Sequence, residues 1–389
     1  MITRENIREL ASFEAREGCA VSFFYQPVTP TNKSHREEAI LIKDLVREAQ
    51  REAEKQGRDG CAQPDLDRIQ EIAERLHGNG GRAKAIFASA KDNYWREFDL
   101  PPRFTETRLF INKHFHLRPL TAIADVLPRL LIVLLDRTKA RFLELWMDEI
   151  HERDQFRMTN EITRRGRSDG FAGYEAGHAE RHVDNEAMHF YKEVAERMKD
   201  LYDSGFERFL VGCRDDAWPE IEPHLHPYVK QRFVGHFAID PATNDLGRIR
   251  TEAERLYNEY RLNRRAGLVR EVVGQEKRDG RGAVGLKKVL DALEKGEIQT
   301  LLISRKFSAP ASECPNCGHI DANVAEQCSA CASKTHELED VSDRLLSIAI
   351  RNGIEIIHMH DDPAFESTGG VAALLRFRAD QNTEVRKAG

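Results

Sequence analysis

The apolar positions of this chain recur with two different periods, and the switches between them mark out three segments. In the first, up to about Leu127, Thr3 to Ala15 reads as a helix with Thr3 as its N-cap. VSFFYQP reads as a strand ended by Pro27. From about Ser34 to Lys55, Ala39, Ile42, Leu45, Val46 and Ala49 fall at helical spacing. Pro64 precedes a second helix, Asp65 to Leu76, and GNGG breaks the chain before the short strand AKAIFAS. RLFINKHFHLRPL supplies further strand and turn.

The second segment opens after Pro128 with RLLIVLLD, a continuous apolar run suited to a strand buried on both faces. ARFLELWM alternates and predicts the next strand. The chain turns polar from His151 to about Gly177, and a long helix follows from about Ala179 to Tyr202. FERFLVG is a strand, Trp218 to Phe233 is expected as helix, and VGHFAID is a strand.

In the third segment Arg248 to about Gly274 is helical, with Leu256, Tyr260, Leu268 and Val272 on one side. A short helix from Gly285 to Glu294, the strand IQTLLIS, a helix from Val341 to Asn352 and the strands IEIIHMH and GGVAALLRF complete it. Strands alternating with helices predict an α/β fold of three α/β domains, with mixed or mostly parallel sheets in the middle and C-terminal ones. The expected boundaries are 1–127, 128–242, 243–378 and a tail at 379–389, with no internal repeat.

Composition narrows the class only a little. Among 389 residues, 40% hydrophobic and 32% charged is ordinary for a soluble globular protein. LLIVLL is far too short to cross a bilayer, and MITRENIRELASFEAREG has no hydrophobic signal core, so a cytoplasmic protein away from membranes is expected. The net charge of −6 argues against a general nucleic-acid coat. Basic residues are nonetheless clustered: TRRGRSDG holds Arg164, Arg165 and Arg167, and NRRAG holds Arg264 and Arg265. Such local clusters suit contact with RNA at chosen points.

The strongest chemical signal is the run ECPNCGHIDANVAEQCSAC. Cys314, Cys317, Cys328 and Cys331 stand as C-x2-C-x10-C-x2-C, with Pro315 and Gly318 in the first turn. Two tight turns, each offering two thiolates, complete a tetrahedral site, so one structural Zn²⁺ is expected. With no secretory signature, disulfides are disfavoured there. Cys19, Cys61 and Cys213 have no partner spacing and are expected as reduced, partly buried thiols.

Other clusters read more blandly. His178, His182, Glu186 and His189 share one helix face, yet no further ligand follows at an established spacing, and RNA contact beside Arg181 fits them better than a metal. His358, His360, Asp361 and Asp362 read as a strand end. Gly369 and Gly370 allow a tight approach between loop and strand. Gly78, Gly80 and Gly81 lack the Lys-Ser/Thr of a P-loop. Asp215, Asp216 and Glu220 suit a helix start.

GLKKVLDALEKGEIQTLLIS, the cysteine turns, and DRLLSIAIRNGIEIIHMHDDPAFESTGGVAALLRF together resemble the C-terminal domain of archaeo-eukaryotic peptide-release factors and Pelota. An archaeal form of that domain carries two CxxC knuckles at this place. DRTKARFLELW resembles the strand pair opening the family's middle domain. The resemblance covers roughly Arg129 to Phe377, and the first segment looks closest to the bacterial branch. Within that branch the combination resembles ribosome-hibernation factors that occupy the A site.

The family's middle domain carries a Gly-Gly-Gln loop that helps cleave peptidyl-tRNA. Here the equivalent stretch, about 160–182, contains no Gly-Gly-Gln, and no glutamine stands between Gln155 and Gln231. Hydrolysis therefore does not carry over. The resemblance implies a non-catalytic ribosome-binding translation factor, acting in stress on idle or stalled ribosomes. Its RNA-binding residues would be Arg164, Arg165, Gly166, Arg167, Gly170, Gly173, Gly177, His178, Arg181 and His182, meeting rRNA or the tRNA end. Its partners would be the 70S ribosome and a translational GTPase such as elongation factor Tu, and the factor itself a monomer. The alternative is a ribosome-rescue peptidyl-tRNA hydrolase or tRNA-end nuclease using Arg167, His178 or His182.

Overall fold

The computed structural model describes residues 2–16, 19–26, 35–55, 60–76, 83–101, 107–146, 149–157, 175–360 and 362–377. They form two compact units. One takes Met1–Asp125 with Arg265–Gly389, and the other takes Val126–Arg264.

The first segment opens on α1 (Arg4–Ser12). Thr3 caps it: its hydroxyl accepts the Asn6 amide at 3.2 Å, and Asn6 Oδ1 accepts the Thr3 amide at 2.9 Å. β1 (Ala20–Tyr25), α2 (His35–Lys55), α3 (Gln63–Leu76), β2 (Ala83–Ser89), β3 (Tyr94–Leu100), β4 (Arg108–Asn112) and α4 (Arg118–Val126) follow. The sheet runs β3-β2-β1-β4 and is antiparallel throughout. Val21, Phe23 and Tyr25 face Ile42, Val46 and Leu66 of α2 and α3. Phe24 and Phe87 point the other way, with Phe87 meeting Phe115 at 5.3 Å between ring centroids. The α2–α3 turn brings Cys61 over the start of β1, where it forms a disulfide with Cys19, the Cα atoms 5.7 Å apart. The expectation of two reduced thiols is thereby corrected. A separation of 42 residues leaves no spacing signal for such a pair.

The second unit is a mixed sheet in the order β7-β6-β5-β8-β9. Its strands are β5 (Leu130–Leu135), β6 (Lys139–Trp146), β7 (Glu149–Arg157), β8 (Arg208–Cys213) and β9 (Phe233–Ala238). β5 runs parallel to β8 and antiparallel to β6. All six β5 residues are buried because both faces are covered. Leu131, Val133 and Leu135 face α5 (Glu175–Asp203), while Leu130, Ile132 and Leu134 face α8 (Leu246–Glu276). The start of the stretch expected only to turn polar falls in edge strand β7, and residues 158–174 of it lie outside the described residues. The charges of β7 are partly matched across the pair, with Arg141 Nη2 donating to Glu152 Oε2 at 2.8 Å. The helix expected from Trp218 to Phe233 is broken into α6 (Trp218–Ile221), a 3-10 turn (Glu222–His224) and α7 (Pro227–Gln231), because Pro223 and Pro227 each remove a donor.

The third segment rejoins the first in one unit. Its elements are β10 (Gly282–Val284), α9 (Leu286–Glu294), β11 (Ile298–Ser304), β12 (Ala311–Glu313), β13 (Ile320–Asp321), β14 (His336–Leu338), α10 (Ser342–Arg351), β15 (Glu355–Met359), α11 (Pro363–Glu366) and β16 (Val371–Leu375). The main sheet, β10-β16-β11-β15, is again mixed, with only β11 and β15 parallel among its pairs. α9 and α10 cover one face, and Leu268, Val269 and Val272 at the end of α8 cover the other. Gly370, at φ +71°, brings the loop close to β11: a Cβ there would lie 3.4 Å from Ser304 Cβ. Polar contacts tie α4 to this sheet, including Thr121 Oγ1 with His358 Nε2 at 2.9 Å. Among the described residues, no helix is long and apolar enough to cross a membrane.

Candidate functional site

Two turns of like geometry hold the four cysteines between β12 and β14. In the first, the Gly318 amide donates to the Cys314 carbonyl at 2.9 Å; in the second, Ala332 donates to Cys328 at 2.9 Å. Each turn closes with a return bond, Cys314 N to His319 O at 2.9 Å and Cys328 N to Ser333 O at 2.8 Å. The residue after each second cysteine adopts the left-handed conformation, Gly318 at φ +73° and Ala332 at φ +58°. Glycine makes that conformation free at the first turn, whereas Ala332 holds it at a cost of about 1 kcal/mol.

The four Sγ atoms lie within 4.8 Å of one another, with Cys314 and Cys331 at 3.5 Å and Cys317 and Cys328 at 3.6 Å. A tetrahedral tetrathiolate with metal–sulfur bonds near 2.3 Å has sulfur–sulfur edges of about 3.8 Å. The cluster therefore has the dimensions and the donor set to hold one metal ion. Cys314 and Cys328 are buried and Cys317 and Cys331 exposed, so the site is anchored on one side and open to solvent on the other. The thiols are electrostatically unequal. Hydrogen bonds from the Ser333 side chain and backbone, then Asn316, push Cys331 down to about 5. Cys317 is lowered by a backbone hydrogen bond at His319, but its thiol neighbours and burial outweigh this and drive it up to about 12. A cation at the centre favours the thiolate at every position.

Residues around the sulfurs fix their turns. Asn316 Nδ2 lies 3.7 Å from Cys331 Sγ, and the Ala330 amide 3.4 Å from Cys328 Sγ. His319 spans from Glu294 on α9 at 3.0 Å to Ser329 Oγ at 3.0 Å, tying both turns to the helix. Sequence reasoning singled out the four ligands and missed these supports. Their position inside or beside the two Cys-x2-Cys turns was the available signal.

The proposed RNA-binding residues fare differently. Arg164, Arg165, Gly166, Arg167, Gly170 and Gly173 lie outside the described residues, as do Gly78, Gly80, Gly81 and Asp361. Gly177, His178, Arg181 and His182 fall on α5, but their side chains lie outside the described ones. Arg265 lies within helix α8, as the periodicity predicts, but it is buried in an ion pair with Asp125 rather than offered to RNA. His358 is buried on β15, where it faces Thr121, and Asp362 caps α11. Asp216 pairs with Arg214 at 2.9 Å and Glu220 with Arg137 at 2.6 Å.

Residues 116–254 match the family model described as bacterial archaeo-eukaryotic release factor family 10. Peptide chain release factor subunit 1 of Archaeoglobus fulgidus is 25% identical over 218 residues, which are 50% of this chain and 53% of that one. The protein of the same name from Pyrococcus abyssi is 25% identical over 178 residues, 40% of this chain and 43% of that one. The chain thus spans about half the length of the curated relatives it matches. Among solved structures, Archaeoglobus fulgidus Pelota aligns over 97% of this chain and 93% of its own at 15% identity, with a TM-score of 0.30, too low to bear on the fold. Residues 116–254, about a third of the chain, are therefore similar to bacterial archaeo-eukaryotic release factor family 10, and about half of the chain is similar to archaeal release factors.

Proposed function

We propose that this protein is a ribosome-binding translation factor that occupies the A site of idle or stalled 70S ribosomes without cleaving peptidyl-tRNA. The observation that carries this reading is the release-factor family match at residues 116–254, across a segment that holds no Gly-Gly-Gln. The domain combination resembles that of Balon, a bacterial hibernation factor, and dormancy or stress is the setting this suggests. In this reading the chain works as three domains, 1–127, 128–242 and 243–378. The stretch 160–182, with Arg164, Arg165 and Arg167, meets rRNA or the tRNA end in the peptidyl-transferase centre. The four cysteines hold one structural Zn²⁺, since all four positions are closed by sulfur and none is left for chemistry. The protein is a cytoplasmic monomer, and a translational GTPase such as elongation factor Tu is its candidate partner.

Cosedimentation with 70S ribosomes from stationary-phase or stressed cells tests the reading. Enrichment in the 70S fraction is expected, and absence from it under all such conditions would sink the proposal. Single-turnover release from stalled peptidyl-tRNA complexes tests the non-catalytic part. Release abolished by Arg167→Ala or His178→Ala would replace it with a rescue hydrolase.

A further inference from the structure

The Cys19–Cys61 bond stands apart from the other sulfur chemistry of this chain. Cys19 immediately precedes β1 and is buried, while Cys61 lies in the α2–α3 turn and is partly exposed. Their Cα atoms, 5.7 Å apart, sit where a disulfide closes without moving the backbone. Gly60, just before Cys61, is exposed and adopts the left-handed conformation at φ +66°, and a Cβ built on it would meet nothing within 4 Å. The outer side of the turn is therefore open to a small molecule. Cys19 offers no such approach, being only 3% exposed.

The layer that the bond joins is also held without it. Leu66 and Ile69 of α3 share a buried cluster with Val21 and Phe23 of β1. Asp65 Oδ2 accepts the Ala90 amide at 2.8 Å, fixing α3 to the turn after β2. Gln50 Nε2 donates to Gln63 Oε1 at 2.9 Å, joining α2 to α3. These contacts remain when the sulfurs part, so the bond can open without undoing the segment. The same chain carries four thiols arranged to hold a metal, which requires them reduced as thiolates. In a setting that keeps those four reduced, a disulfide that still forms is a transient or redox-sensing one.

We propose that Cys19 and Cys61 form a reversible thiol–disulfide switch, in which Cys61 exchanges with small-molecule disulfides such as oxidised glutathione and Cys19 is the resolving thiol. The Cys61 thiolate attacks one sulfur of the small disulfide, forming a mixed disulfide and releasing one small-molecule thiolate. The Cys19 thiolate then attacks Cys61 Sγ, closing the protein bond and releasing the second. The two cysteine thiols lose two protons and two electrons in all, and the small disulfide is reduced to two thiols. Reduction runs backwards, a small thiolate attacking Cys61 Sγ with Cys19 as the leaving group. Closure fastens the α2–α3 turn to β1 across 42 residues, and opening leaves α3 held by the packing and hydrogen bonds above. The switch does not rest on the ribosome-directed reading.

The test uses the full chain as purified, in glutathione buffers running from fully reduced to fully oxidised. Alkylation and peptide mapping read Cys19 and Cys61 separately from the other cysteines. The pair should pass from open to closed within this range and return on reversal. A pair that stays closed in reduced glutathione is a fixed structural bond, and one that stays open in oxidised glutathione forms no bond; either result overturns the proposal. Cys19→Ser should collect a stable glutathione adduct on Cys61, whereas Cys61→Ser should react at Cys19 at least about tenfold more slowly, because that thiol is buried. Equal rates would overturn the order of attack. Amide exchange across α3 should be at least about tenfold faster in the reduced protein, since the closed loop restrains its opening, while Leu130–Leu135 in the other unit are unchanged. Equal exchange of α3 in both forms would show a bond without a switch and overturn the proposal too. The titration and the exchange need no variant, so a variant that fails to fold leaves both tests in force. Neither readout involves ribosomes, so failure of this idea and failure of the ribosomal reading are told apart.

Discussion

Arg265 and Asp125 form an ion pair in which each side chain is only 8% exposed. Asp125 sits in the last turn of α4 and Arg265 in α8, so the pair joins the first and third segments inside one unit. The same Asp125 oxygen accepts the backbone amide of His358 at 3.1 Å. Removing the carboxylate strands a buried guanidinium, which ordinarily costs about 3–5 kcal/mol. Asp125→Ala is therefore expected to lower unfolding stability by about 3 kcal/mol in urea titrations. The apolar double variant Asp125→Leu, Arg265→Met should recover much of that loss, because no charge is then left without a partner. A cost below about 1 kcal/mol for Asp125→Ala would contradict this account.

His358 gives the same unit an acid sensitivity. Burial pushes its pKa down to about 3, and the charges of Arg118, Arg305, His360 and Arg265 push the same way. A histidine whose folded pKa lies below its unfolded value resists protonation only while folded. The unfolded chain then binds more protons between about pH 6.5 and 3, so stability falls as pH drops through that window and is flat above it. From pH 6.5 to 5 the loss should be ~2 kcal/mol. His114, also lowered chiefly by burial, adds in the same direction. Urea unfolding across pH 5 to 7 should show this slope, and His358→Gln should flatten it.

How much of this was readable beforehand depended on whether the cause was local. LLIVLL announced a strand buried on both faces, and its residues do alternate between α5 and α8. The four cysteines were legible because each knuckle is a short turn with a fixed spacing. Strand β7 was not, since an edge strand with matched charges such as Arg141–Glu152 has no apolar alternation to detect. The Cys19–Cys61 link joins positions 42 residues apart through a turn that only the folded sheet brings close. Arg265, grouped with Arg264 as a basic cluster, needed a partner 140 residues away to be recognised as buried. The stacking of Tyr202 on Tyr228 likewise comes from two helices whose meeting no periodicity encodes.

Gly212 marks the tightest point of the second unit. It lies on β8, where an added Cβ would come within 2.6 Å of Leu134 Cδ2, 2.9 Å of Ile239 Cγ2 and 3.0 Å of Phe237 Cζ. These atoms belong to a packed layer under α8, so they have little room to give. Gly212→Ala should destabilise by about 1–3 kcal/mol, as overpacking does. Equilibrium unfolding followed by the fluorescence of Trp146 and Trp218, both in this unit, would register it as an earlier transition. An unchanged midpoint would show that the layer relaxes more readily than its spacing suggests.

Metal removal separates the cysteine site from the rest of the chain. The knuckles belong to the small sheet β13-β12-β14, held to α9 by His319 and to α10 through Glu313 and Arg344 at 2.6 Å. Four thiolates without a cation repel one another and must take up protons, so metal loss should loosen that sheet first. Elemental analysis of the purified protein should give one zinc per chain, falling to none in the Cys314→Ser, Cys328→Ser double variant. Chelation should raise amide exchange across residues 311–338 and leave Leu130–Leu135, in the other unit, protected as before. Because metal binding displaces thiol protons, zinc should also be lost more readily as pH falls. Retention of protection at 311–338 after complete removal of zinc would show that the hydrogen-bonded turns hold without it.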